Sequence, residues 1–253
     1  MRYVSVIFFI AFICLNAANC FAAAISSLAE TLTKAEQGDV KAQFNLCARY
    51  HEGQGVTHDD AESVKWCRRA AEQGDAKAQF NLAAMYFSGT GVAQDYAEAL
   101  KWFHKAAEQG EAQSQYSLGM IYHKGEGAPH DDAEAVKWFG MAAEQGLADA
   151  QFTIGLMYLK GESVPLDRVD AAKWLRKAAE QGVAAAQCDL GWMYQNGYGV
   201  QCDYAEAYMW LSLAAAQGDE KAKGLLGSIE REMTPDQIAE AQKRAAAWKS
   251  KAN

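Results

Sequence analysis

Residues 78–110 decide the fold, and they read AQFNLAAMYFSGTGVAQDYAEALKWFHKAAEQG. The chain of 253 residues contains this pattern five times at a period of 36 residues, with Tyr, Gly, Asp and Trp returning in the same register. The recurring aromatic residues are Tyr50, Tyr86, Tyr122, Tyr158 and Tyr194, together with Trp66, Trp102, Trp138, Trp174 and Trp210. A unit of this length buries its apolar face only by stacking on neighbouring units. The period therefore predicts a solenoid whose function lies on an extended surface.

Each repeat is predicted to be a hairpin of two helices, which we call helix A and helix B. Residues 75–88 lack Pro and Gly, space their apolar residues at helical intervals and end at Gly89, which can adopt the left-handed conformation that terminates a helix. After a short loop, Asp95 is expected to cap helix B, with Glu98 completing a capping box. Helix B then runs to Gln109.

The two ends of the array are predicted to be helical caps, because a terminal repeat needs a polar outer side. Residues 25–38 resemble a lone helix B, and residues 219–253 begin as a further helix A before Thr234 caps a last helix, with Gln237 completing its capping box. An apolar stripe on that helix consists of Ile238, Ala241, Ala245 and Trp248. The repeats between the caps are assigned to residues 39–74, 75–110, 111–146, 147–182 and 183–218. The predicted fold class is an all-α solenoid of five helix-turn-helix repeats with helical caps.

Residues 1–24 have the pattern of an export signal. A short basic region precedes an apolar region at residues 4–15, and three alanines at residues 22–24 offer a cleavage site. The second half of the uncharged run is polar and is followed by no stop-transfer charges, so we expect signal cleavage and no stable membrane insertion. Lipoprotein acylation of Cys20 is disfavoured because Asn19 stands where such motifs carry a small residue. The predicted location is the periplasm or the cell exterior.

An exported chain can form disulfides, and four cysteines follow the signal. Antiparallel helices bring together residues whose numbers have a constant sum. Cys47 and Cys67 have a midpoint of 57 in a repeat that turns near residue 56, so they should face each other and pair. Cys188 and Cys202 have a midpoint of 195 in a repeat that turns near residue 200, which places them roughly 15 Å out of register at the helical rise per residue. Those two are predicted to stay free.

The repeated unit resembles a known family. The pattern A-x-x-L-G-x-x-Y-x-x-G-x-G-V-x-x-D-x-x-x-A-x-x-W-x-x-x-A-A-x-Q-G, most complete at residues 78–110 and 186–218, is similar to the Sel1-like repeat, a relative of the tetratricopeptide repeat. The resemblance covers residues 39–218 and implies a right-handed superhelix in which helices A line a concave groove. It also implies an exported bacterial adaptor, host-contact factor or envelope regulator. In the cysteine-rich branch of the family the disulfide positions correspond to Gln43 and Ala71, and this chain departs from that branch.

Several classes of function are disfavoured by the composition and the motifs. The net charge is −8, and an acidic array without a basic stripe is a poor ligand for nucleic acid. Some cysteine-rich Sel1-like proteins have been linked to β-lactam or peptidoglycan-fragment binding and hydrolysis, which is the alternative function. The serine acylases need Ser-x-x-Lys, Lys-Thr-Gly or Gly-x-Ser-x-Gly motifs, none of which occurs in the sequence. We therefore predict no catalytic residues, no cofactor and a protein or peptide partner.

No metal site is predicted from the histidines and the acidic pairs. His51 and His123 occupy equivalent positions two repeats apart, and metal ligands must converge on one ion. His58 and His130 are interpreted as solvated loop residues. The pairs Asp59-Asp60 and Asp131-Asp132 lack the alternating oxygen spacing of a calcium loop and are interpreted as helix caps.

The faces of helix A separate packing from binding. Gln43, Leu46, Cys47 and Tyr50 lie within about 100° of one another at helical spacing and are nearly constant between repeats, so this stripe is the packing seam. The opposite face varies between repeats and is expected to bind the partner. The predicted contact residues on helices A are His51, Glu52, Phe87, His123, Lys124, Lys160, Trp192, Gln195 and Asn196. Among them Trp192 is the leading candidate, because large amphipathic rings anchor interfaces, whereas the five recurring tryptophans are interpreted as core.

Overall fold

The computed structural model describes residues 27–252, with side chains described for residues 27–248, and this part of the chain contains helices and no strand. The helices A are α2 (Val40–Glu52), α4 (Ala76–Ser88), α6 (Ala112–Lys124), α8 (Ala148–Lys160) and α10 (Ala184–Asn196). The helices B are α3 (Asp60–Glu72), α5 (Tyr96–Glu108), α7 (Asp132–Glu144), α9 (Arg168–Glu180) and α11 (Tyr204–Ala216). The flanking helices are α1 (residues 27–36), α12 (Glu220–Ile229) and α13 (Pro235–Ala252). The predicted all-α repeat fold is confirmed, and the predicted export signal lies outside the described residues.

The chain forms two compact units, Met1–Ser114 and Gln115–Asn253, whose boundary lies within α6. In the first unit α2 packs against α3 and α4 against α5, and α3 also packs against α4. In the second unit α8 pairs with α9 and α10 with α11, while α9 packs against α10 and α13 against α11. Within each unit, hairpins thus stack on their neighbours. Across the described residues, none of the helices combines the length and the apolar character that a membrane crossing requires.

Aspartates cap the helices B as predicted, but the capping box at Asp95 is incomplete. The Asp95 carboxylate accepts hydrogen bonds from the backbone amides of Ala97 and Glu98 at 3.0 Å. The reciprocal bond is absent because the Asp95 amide already donates to the Tyr86 carbonyl at 3.0 Å, and the Glu98 carboxylate instead pairs with Lys101. The box at Thr234 and Gln237 forms both of its hydrogen bonds.

The C-terminal helix closes the core of the second unit with the predicted apolar stripe. Ala241 and Ala245 are buried, and Ile238 and Trp248 pack against the same core. The Trp248 ring contacts Trp210 edge-on, with 5.0 Å between ring centroids. The recurring tryptophans are buried as predicted, apart from Trp174, which is half-buried.

A small residue on helix A faces a large residue on helix B in the later repeats. A Cβ atom added to Gly119 would lie 2.5 Å from Cδ1 of Phe139, closer than real Cβ contacts allow. The equivalent pairs are Gly155 with Leu175 and Gly191 with Leu211, where the added Cβ would lie 2.9 and 2.7 Å from the leucine Cγ. In these three repeats helix A approaches helix B so closely that only a very small residue fits at this position, and the second repeat carries Ala83 there.

In the first repeat the same two positions are Cys47 and Cys67, which form the predicted disulfide. Their Cα atoms are 5.0 Å apart and both side chains are buried. Cys188 and Cys202 are free, as predicted. Burial raises the pKa of the Cys188 thiol to about 12, so that cysteine is an inert core residue.

Within each compact unit, a buried glutamine of helix A connects a hairpin to the helix that precedes it. Gln79 is 4% exposed, and its Nε2 donates to the Ala71 carbonyl of the preceding repeat at 3.0 Å. Its Oε1 accepts at 2.7 Å from Nε2 of Gln109, which follows helix B of the same repeat. The same glutamine pair recurs as Gln43 with Gln73, Gln115 with Gln145, Gln151 with Gln181, and Gln187 with Gln217. Both ends of the buried amide are satisfied, which offsets the cost of burying it.

The disulfide should stabilise the first repeat by closing a short loop. The paired cysteines are 20 residues apart, so replacing both by Ala should lower the free energy of unfolding by about 3 kcal/mol in urea denaturation. Cys47→Ala with Cys67→Phe is the matched control, because it reproduces the Ala83 and Phe103 pair of the second repeat and restores packing without the cross-link. An unchanged urea midpoint of the wild-type protein in reductant would contradict this role.

Removing one buried glutamine should cost more than removing an exposed ion pair. Gln151→Leu leaves the Gln181 amide and the Ala143 carbonyl without a shared partner, and we expect a loss of about 2 kcal/mol in chemical denaturation. The control Lys173→Gln removes an exposed pair with Asp170 and should cost less than about 1 kcal/mol. Equal losses in the two variants would argue against a connecting role for the glutamine.

Candidate functional site

A groove of about 350 Å³ opens between α2 and α4, the first two helices A. The small or apolar residues at its base are Ala48, Ala84 and Met85, and Cys47 of the disulfide also lines it. The polar residues around it are His51, Glu52, Asn81, Ser88 and Thr90. All of these residues belong to the first compact unit. The groove is large enough for one long side chain.

The groove is open because one helix A position carries alanine in both flanking repeats. The residues at this position are Ala48, Ala84, Met120, Leu156 and Trp192. In the first two repeats the methyl groups leave space between neighbouring helices, whereas later repeats carry long or aromatic side chains there. The size of this one residue therefore distinguishes the first pair of helices A from the others.

Next to the groove, two histidines meet one aspartate. The Asp60 carboxylate lies 2.7 Å from Nδ1 of His51 and 3.2 Å from Nε2 of His58. Nδ1 of His58 lies 2.6 Å from the His51 carbonyl oxygen. Both ring nitrogens of His58 thus face acceptors, and the cluster joins the end of helix A to the start of helix B.

The third repeat contains the same cluster, formed by His123, His130 and Asp132 at distances of 3.0 and 3.4 Å between histidine nitrogens and carboxylate oxygens. Hydrogen bonds from His123 and then from Ser163 hold the pKa of the Asp132 carboxyl below its usual value. Ser163 has a φ of 63°, in the left-handed region favouring glycine. In the described part of the chain, no group of three or more His, Cys, Asp or Glu residues is arranged to hold a metal ion.

These clusters correct two expectations from the sequence. His58 and His130 are bonded to neighbouring groups rather than simply solvated. The helix caps are Asp59 and Asp131, whereas the second aspartate of each pair binds the histidines. The sequence feature that could have predicted both clusters is the spacing His-x6-His-Asp-Asp, which occurs in the first and third repeats.

Two of the nine predicted contact residues, His51 and Glu52, line the groove. Phe87 instead contacts Tyr96 and Phe103 edge-on, at centroid distances of 5.1 and 6.4 Å. Those three rings belong to one repeat, so Phe87 packs within its own hairpin.

The remaining predicted contact residues lie in the second unit. Trp192 is half-buried and contacts Tyr198 edge-on at 5.0 Å, so its ring serves packing within the fifth repeat. Nζ of Lys160 lies 3.6 Å from the Glu162 carboxylate. Asn196 donates from Nδ2 to the carbonyl four residues before it at 2.8 Å. His123 joins the second histidine cluster, Lys124 is exposed and Gln195 is half-buried.

The predicted contact residues omit three polar residues of the groove, Asn81, Ser88 and Thr90, although Asn81 lies on the variable face of helix A. They line the groove only because α2 and α4 lie side by side in the fold. One signal was available, since the position of Asn81 carries a hydrogen-bonding residue in every repeat. These residues are Asn45, Asn81, Ser117, Thr153 and Asp189.

Comparison with known proteins gives a consistent result. The family model of the Sel1 repeat matches residues 40–75, 76–111, 112–147, 148–183 and 184–219. A protective antigen present in uropathogenic Escherichia coli strains, with an SLR fold, is 37% identical with a TM-score of 0.78 over 86% of this chain and 48% of that one. A Sel1 repeat protein from Oxalobacter formigenes is 38% identical with a TM-score of 0.76 over 80% of this chain and 59% of that one. The chain thus spans about half the length of these solved structures, and no curated protein matches it.

Proposed function

This chain belongs to the Sel1 repeat family, and we propose that it is a non-catalytic scaffold that binds a protein or peptide on the face presented by helices A. Proteins of this family generally mediate protein–protein interaction and are generally non-catalytic. The single observation that carries the proposal is the groove between α2 and α4, whose lining includes residues outside the packing seam, among them Ala48, Asn81 and Ala84. Concave sites with a few placed polar groups are the usual form of a binding site.

Helix A separates its packing residues from its groove residues, which supports the groove side of helix A as the binding face. Gln79, Leu82 and Ala83 of α4 are buried in the packing seam. Asn81 and Ala84, which flank Leu82 and Ala83 in sequence, line the groove instead. Substitutions in the groove can therefore change the ligand without disturbing the stack.

We further propose that the chain acts in the bacterial envelope or beyond it. The signal-like pattern of residues 1–24 supports export. The disulfide between Cys47 and Cys67 suits an oxidising compartment. The similarity to a protective antigen of uropathogenic Escherichia coli strains also supports contact with the exterior.

Site-specific cross-linking tests the binding face. A photo-reactive amino acid at Asn45 or Lys124 on helices A should give covalent adducts with a partner in envelope or host extracts. The same amino acid at Lys101 or Lys137, which are exposed on helices B, is the matched control and should give none. Adducts that form from helix B positions alone, or from no position, would overturn the proposal.

Export makes a separate prediction about the mature N-terminus. The full-length chain expressed in a Gram-negative host should be recovered from the envelope or medium with its first residue near Ile25, because the alanines before it form the cleavage site. The measurement is intact mass together with N-terminal sequencing of each cell fraction. An uncleaved chain confined to the cytoplasm would refute export while leaving the binding face untouched.

A further inference from the structure

We infer that the groove between α2 and α4 receives a lysine or arginine side chain of the bound protein or peptide. The inference rests on the proposed function, since it names the chemistry of what helices A bind. Three features of the groove support a cationic occupant: its apolar base, an unneutralised carboxylate on its rim, and the two helix ends beside it.

The base of the groove suits the aliphatic part of a long basic side chain. Ala48 and Ala84 contribute methyl groups from two neighbouring helices, and Met85 adds an apolar side chain that is 5% exposed. Lysine and arginine bury their methylene stems along such surfaces while the charged group remains at a polar rim. A groove of about 350 Å³ accommodates one such side chain.

The rim carries a negative charge that its neighbours do not cancel. Glu52 accepts a hydrogen bond from the neutral side-chain amide of Gln54, and no ion pair joins it to a basic residue within the described part of the chain. His51, which also lines the groove, is already bonded to Asp60 at 2.7 Å. A cation at this rim would therefore form a charge-assisted hydrogen bond with Glu52, which is stronger than a neutral one.

The groove also lies against the C-terminal ends of two helices. Glu52 is the last residue of α2 and Ser88 is the last residue of α4. Several of the last carbonyls of both helices already accept hydrogen bonds, among them those of His51 and Tyr86, but a helix C-terminus is still the negative end of the helix dipole and attracts cations. The hydroxyls of Ser88 and Thr90, 2.7 Å apart, add further acceptor oxygens.

No lysine or arginine is among the described residues that line the groove, whereas Glu52 is, and the basic residues in the last turn of α2 are Arg49 and His51. The last turn of α4 contains no basic residue. Lys77 belongs to the first turn of α4, eleven residues before Ser88 and so roughly 16 Å away along the helix axis. Arg49 in α2 is not among the residues that line the groove.

The test uses a random heptapeptide library selected on the signal-free chain, followed by affinity measurements on synthetic peptides. Selected peptides should share a lysine or arginine. Replacing that residue by norleucine, which keeps the stem and removes the charge, should weaken binding about tenfold, and replacing it by glutamate should weaken binding further.

Variants of the groove can be chosen from residues that this chain already carries at equivalent positions. Glu52→Lys copies Lys124 and Lys160, and should weaken binding of the basic peptide at least tenfold by reversing the charge. The double variant Ala48→Met, Ala84→Leu copies Met120 and Leu156, and should weaken binding as strongly by filling the groove. Glu72→Lys makes the same charge change at an exposed site on α3 and should leave affinity within about twofold.

The outcomes separate this inference from the proposed function. Selected peptides without basic residues, or affinities unchanged by Glu52→Lys and by the norleucine peptide, would overturn the inference. If the inference failed in this way but helices A still gave cross-linked adducts, the proposed binding face would be retained and only the cationic occupant would be rejected. If the double variant failed to fold by circular dichroism, Glu52→Lys and the norleucine peptide would still decide the question. A library that yields no binder, together with no adduct from helices A, would overturn both.

Discussion

The buried glutamine of helix A is the constraint on which the rest of each repeat depends. Gln79 reaches back to the Ala71 carbonyl and is held at its other end by Gln109, so one side chain fixes the distance between consecutive hairpins. A longer separation would leave buried amide groups without partners, at a cost of about 1–3 kcal/mol for each unsatisfied group. Helix A must therefore lie close to the preceding hairpin. The small residue opposite Phe139 or Leu175 reflects a second close approach, that of helix A to helix B within one hairpin.

A seam defined so strictly leaves the other face of helix A free to vary. The alternation of buried Leu82 and Ala83 with groove residues Asn81 and Ala84 means that neighbouring positions in sequence have unrelated roles. At the position of Ala84 the chain exchanges a methyl group for the side chain of Met, Leu or Trp in later repeats. The backbone tolerates this because the side chain is not part of the seam. One fold therefore presents a groove in one place and a filled surface in another.

The sequence predicted the period, the aspartate caps, the disulfide and the buried tryptophans, because each is a property of one repeat read in register. It did not predict the contacts of Asp60 with His51 and His58, because they need two histidines separated by a loop. Trp192 was predicted to be a contact residue because its ring is large. The ring instead contacts Tyr198, and that contact depends on how the following loop folds back. The groove was not predicted, because it depends on two small residues and not on a large one. Two alanines leave the space open, and a sequence pattern does not show the space that small side chains leave.

The position of the disulfide suggests why the open groove lies in the first pair of repeats. A groove between two helices keeps its width only if both helices are held, and α2 belongs to the first repeat of the array, beyond which the described chain has only α1. Cys47 lines the groove and is bonded covalently to helix B of the same repeat. The cross-link therefore restrains one wall of the groove before any ligand binds. Restraint of this kind reduces the conformational entropy lost on binding, which is the general basis of preorganised sites. A covalent bond thus performs for α2 what stacking between two full hairpins performs for an interior helix.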